Sequence, residues 1–136
     1  MSYVLSEHTA DVAVKATSDS LGGVFAAVAD GLAAAQCETI PERGEPFEVT
    51  VEAESLEAAL FDYLDELIYQ RDVRSVLPVE NEATVREEDG VWKVDASTRG
   101  VPLSEIAARE VKAVTYSEMT IEEVEGGWYA YVVLDV

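Results

Sequence analysis

The sequence predicts an α+β fold: a single compact domain (1–136) in which a mixed or antiparallel β-sheet carries two main helices packed on one face. Three observations predict it. Two stretches repeat their apolar residues at helical spacing, and the segment between them alternates strictly between apolar and polar residues. After the second helical stretch come four or so strands in succession, an order that favours helices on one side of a sheet over a doubly wound parallel arrangement. The 136 residues, 49% of them hydrophobic, are enough for one core without staples.

The elements follow in order. Val12–Thr17 reads as a strand, so Asp11 sits at or near a strand start. Thr17-Ser18-Asp19-Ser20 is a cluster of helix-capping residues. Leu21, Val24, Phe25, Val28, Ala29, Leu32 and Ala33 then mark an amphipathic helix with one apolar face, its first turn weakened by Gly22 and Gly23. Two prolines and a glycine make Thr39–Pro46 a loop. Phe47–Ala53 alternates as a strand. Ser55 caps a second helix with Leu56, Ala59, Leu60, Tyr63, Leu64, Leu67 and Ile68 on its stripe, fading near residues 70–74. Ala83–Arg86 and Val91–Ala96 flank an Asp89-Gly90 hairpin turn, and Gly100-Val101-Pro102 is expected to break the second of these strands. Residues 103–110 suggest a short helical turn. A strand opening at Glu110 and one closing at Val136 form the last hairpin, turning at Gly126-Gly127.

Net charge is −19, from 28 acids against 9 bases. Such a surface repels phosphate backbones, so direct nucleic-acid binding is not expected. The acids either dock on a basic partner or suit a high-salt, halophilic setting. Their spread along the chain favours the second. No apolar run is long enough for a membrane span and no basic leader precedes the first strand, so a cytoplasmic protein is expected, with no membrane partner. Cys37 is the one cysteine; it excludes an internal disulfide and reads as a small core residue.

The candidate chemistry lies at the two ends of the sequence. Asp11 starts one strand, and Asp135 sits one residue before Val136 at the end of another. If those strands are neighbours, the two side chains and the Val136 carboxylate meet as an all-oxygen set. Such a set would need a countercharge, with a hard cation such as calcium or magnesium, or Lys112, as the candidates. Lys112, one of only three lysines, otherwise reads as an exposed strand residue. His8, the lone histidine, reads as hydrogen-bonded and structural rather than as a base. No nucleophile elbow, P-loop, dinucleotide fingerprint or zinc pattern appears. The residues alone therefore support a small acidic α+β domain. Its competing roles are a metal-dependent phosphohydrolase using Asp11, His8 and Asp135, or a plain acidic interaction module.

Four segments carry a family resemblance: Glu7-His8-Thr9-Ala10-Asp11-Val12, Leu64-Asp65-Glu66-Leu67-Ile68-Tyr69, Val111-Lys112-Ala113-Val114-Thr115-Tyr116, and the closing Asp135-Val136. In that order the sequence resembles the archease family over essentially its whole length. The resemblance implies a non-enzymatic activator of the RtcB-type tRNA-splicing ligase, one that promotes guanylylation of the ligase and its multiple turnover in tRNA splicing. It also implies a divalent cation, calcium, held by Asp11, Asp135 and Val136, with Lys112 linked to activity, and a compact α+β fold. Two departures stand out: Ser117 follows Thr115-Tyr116 where many members have histidine, and Val136 replaces the commoner isoleucine.

Overall fold

Among the described residues, seven strands and two long helices follow one another as β1 (Ser2–His8), β2 (Asp11–Ser18), α1 (Leu21–Gln36), β3 (Glu45–Ala53), α2 (Leu56–Arg74), β4 (Val76–Glu88), β5 (Val91–Pro102), β6 (Ala113–Val124) and β7 (Gly127–Asp135). The structure is a computed structural model that describes residues 2–8 and 11–136. Thr9, Ala10 and the side chains of Glu7 and His8, and with them the expectation for His8, lie outside the described residues.

The α+β class holds, and every strand pair is antiparallel. The strands divide into two sheets, ordered β1-β2-β7-β6 and β3-β5-β4. α1 packs against β4 of one sheet and β2 of the other; α2 packs against β3 and β6. Each sheet thus packs one face against the helices. The exposed face of the three-stranded sheet carries Glu52, Lys93, Glu88, Arg86 and Asp95, joined by ion pairs. Such exposed pairs add little to stability, but they keep this face polar.

The helices form where the sequence says they should. Ser20 accepts from Gly23 N–H at 3.0 Å and Ser55 from Ala58 N–H at 3.1 Å, so each helix starts on a serine cap. α2 buries Ala59, Leu60, Tyr63, Leu64, Leu67 and Ile68 and stops at Ser75, whose φ of 54° ends the helical path. α1 departs from the one-sided expectation. Besides the predicted face it buries Ala26, Ala27, Gly31, Ala35 and Gln36, because it lies between two sheets. Its small residues allow that. A Cβ on Gly31 would come 2.6 Å from Val14 Cγ1 in β2, and one on Gly22 would come 2.2 Å from the Ala83 carbonyl oxygen in β4.

One strand is added and two local expectations change. Ser2–His8 forms an edge strand paired to β2. β5 runs on through Gly100-Val101-Pro102, which pair with Pro78, Leu77 and Val76; the proline sits at the strand's last position, where a missing N–H costs no central ladder bond. β6 starts at Ala113 rather than Glu110, leaving Lys112 just ahead of it. The short helical turn is a 3₁₀ turn at Leu103–Glu105. Cys37 is buried, beside Ala33, Leu77, Val79 and Val101.

Candidate functional site

β2 and β7 lie side by side at the centre of the four-stranded sheet. Their inward residues Val12, Val14, Ala16, Ala130, Val132 and Leu134 are all in the core. That burial fixes the register, since a slip of one residue would turn every one of them outward. In that register Asp11 is the direct partner of Asp135. The two therefore project to the same side of the sheet, opposite to the core-facing Val12 and Leu134. Both are partly buried, as is Val136. On the other side of β7, Ala113 pairs with Asp135, and the Lys112 N–H donates to the Asp135 carbonyl at 2.8 Å. Asp11, Asp135, Lys112 and Val136 are thus brought to one end of one sheet. Lys112 is exposed.

Two like charges directly opposite each other weaken a strand ladder. The ladder tolerates them here because the pairs beyond them, Val12–Leu134 and Val14–Val132, are fully apolar. The donor type fits a hard cation: the two aspartates, from adjacent strands, offer oxygen only. Among the described residues no three His, Cys, Asp or Glu side chains converge, so the two aspartates are a pair and not a closed cage. Thr115, two positions along β6 from Ala113, has a buried hydroxyl without a hydrogen-bond partner among the described residues.

The segment bearing Lys112 is held from beneath by residues whose importance the sequence did not signal. Arg71, 8% exposed near the end of α2, donates from Nη1 to Gln36 Oε1 and to the Val111 carbonyl, each at 2.8 Å, and from Nε to Asp72 at 2.9 Å. Arg109 donates its backbone N–H to the Gln36 carbonyl at 2.8 Å and Nε to the Ala35 carbonyl at 2.9 Å. It thereby caps carbonyls at the C-terminus of α1, where a cation is favoured. Val111 itself is fully buried. The two arginines, with Gln36, clamp residues 109–112 to the ends of both helices. The only advance hint was an arginine at position 71 on the edge of the apolar stripe of α2. Its partners lie 35 and 40 residues away, beyond the reach of any local pattern.

With that geometry in view, the match to known proteins spans the same ground. Residues 3–136 match the model of the Archease protein family (MTH1598/TM1083). The chain belongs to the archease family. Protein archease of Pyrococcus abyssi is 34% identical over 135 residues, covering 96% of this chain and 95% of that one. The solution structure of Methanobacterium thermoautotrophicum Protein 1598 superposes with a TM-score of 0.85 at 28% identity, covering 98% of both chains. The crystal structure of a Thermotoga maritima archease, described as a possible chaperone, has a TM-score of 0.64 at 22% identity, covering 96% and 94%, and shares the fold. The chain thus shares the archease fold over nearly all of its length, and no described helix is long and apolar enough to cross a membrane.

Proposed function

We propose that the chain is an accessory activator of the RtcB-type tRNA-splicing ligase, promoting guanylylation of the ligase and its repeated turnover, and is not an enzyme in its own right. The observation that carries this reading is the Asp11–Asp135 pairing at the exposed end of the β2–β7 ladder, with Lys112 tied to the same residue through the backbone. A helper needs its charged groups at a rim that can enter another protein's site, and these lie at a strand end rather than in an enclosed cavity.

Asp11 and Asp135, with the carboxylate of Val136, would hold a divalent cation, calcium, and Lys112 would supply a positive charge at the same end of the sheet. When bound, such a cation supplies charge neutralisation for phosphate oxygens, the term from which phosphoryl transfer gains most. The chain's own contribution is to keep two carboxylates at fixed spacing. β2 and β7 do this through a register that the core enforces. The clamp of Arg71 and Arg109 keeps Lys112 within the same region.

The test is a multiple-turnover ligation assay with an RtcB-type ligase, run with and without this protein. The reading expects product well beyond one equivalent of ligase only when the protein is present. Turnover of nucleotides by the pure protein with divalent metal would support a phosphohydrolase instead.

A further inference from the structure

The outer face of α2 sets two exposed apolar side chains among aspartates. Asp62, Asp65, Tyr69, Asp72 and Val73 fall at helical spacing on the side away from the buried stripe. Tyr69 is 58% exposed and Val73 61%, one turn apart, with the three aspartates around them. At the start of this helix Phe61 is stacked under Tyr116 of β6, ring centroids 4.2 Å apart, and Tyr116 is itself 53% exposed. Exposed apolar side chains also occur at Tyr3, Val4 and Leu5 of β1, but on α2 the apolar pair shares its helix face with three aspartates.

We propose that this face of α2, centred on Tyr69 and Val73, is the docking surface for the protein partner, and that the partner meets it with an apolar recess rimmed by basic side chains. The proposal rests on the functional reading above and deepens it by saying where the partner holds on. An exposed aromatic at the centre of a patch is the kind of residue that carries binding energy in protein interfaces. The surrounding Asp62, Asp65 and Asp72 set the charge of the matching rim, because complementary potentials speed and orient association. They argue against an anionic membrane, which they would repel, and against a second copy of this chain, whose own aspartates would face them across a two-fold axis. The acidic rim of the patch also reaches toward the candidate site, since Asp72 lines a pocket together with Arg109 and Glu110, just ahead of Lys112.

The test is titration calorimetry of the full-length protein against an RtcB-type ligase, with the double variant Tyr69→Ser/Val73→Ser. Both side chains are exposed, so the variant should melt with the wild type. The expected result is a loss of affinity of about tenfold or more, with stimulation restored when the variant is supplied at saturating concentration. A second variant, Asp62→Asn/Asp65→Asn, should bind with a shallower dependence on salt. Unchanged affinity of the Ser/Ser variant for a ligase that binds the wild type overturns the docking face alone. A wild type that does not bind the ligase overturns the functional reading and this inference with it. A wild type that elutes as a dimer, with the Ser/Ser variant a monomer, overturns it in favour of self-association.

Discussion

Asp11 and Asp135 stand directly opposite each other across the β2–β7 ladder, the endmost pair among the described residues. Their repulsion has a measurable sign. Without divalent cation, Asp135→Asn should be more stable than the wild type by about 0.2–1 kcal/mol, because one of two facing charges is gone. With calcium near 100-fold above its dissociation constant, the wild type should gain about 2.7 kcal/mol and the variant much less. Thermal melts in chelator and in calcium give both numbers.

The Arg71 clamp predicts a larger effect. Arg71→Met leaves Gln36 Oε1 and the Val111 carbonyl without their donor in a buried setting. The expected cost is roughly 2–4 kcal/mol by denaturant unfolding. Arg71→Lys should recover only part of it, since an ammonium cannot reproduce the planar fork that serves several acceptors at once. If Arg71→Met unfolds at the wild-type midpoint, the clamp contributes nothing.

Much of the fold was legible because its signals are local. The apolar stripe of α2, the serine caps at Ser20 and Ser55 and the Asp89-Gly90 turn each declare themselves within a few residues. Asp89 and Gly90 do take the positive φ angles, 52° and 80°, that such a turn requires. The division into two sheets was not legible. Alternation says which face of a strand is buried but not which strand lies beside it, and α1 looked one-sided because alanine and glycine carry little hydrophobic signal while fitting a close-packed slot. At the candidate site, Asp11 and Asp135 were recognisable as strand-end acids, and their pairing depended on which strands adjoin. Arg71, Gln36 and Arg109 gave almost no warning, as their bonds join segments far apart in sequence.

Gly31→Ala tests that slot. Alanine is the better helix former by about 1 kcal/mol, yet its methyl would meet the stiff, fully buried Val14 at 2.6 Å. Crowding should win, with a net loss of about 1–2 kcal/mol. In a double-mutant cycle, Val14→Ala should relieve part of that loss, so that the two changes together cost less than their sum.

Asp30 gives a pH dependence. Its carboxyl is held above the ordinary value of 3.8, chiefly by burial and also by the nearby Glu80, while hydrogen bonds from Asn81 at 2.9 and 3.0 Å oppose the shift. The folded state therefore binds this proton more tightly than the unfolded chain. Its contribution is complete below 3.8 and is lost as pH rises through the raised folded value. Relative to Asp30→Asn, the wild type should lose stability over that window and run parallel to it on either side. Urea unfolding at stepped pH on dilute samples measures the difference; parallel curves throughout would contradict it.

The most direct measurement is the rate of ligase guanylylation in the presence of Asp11→Ala. This variant, folded and added in excess, should leave the ligase at its unassisted rate, and Asp135→Ala should do the same. Full stimulation by folded Asp11→Ala would contradict the claim that the facing carboxylates of β2 and β7 do the work.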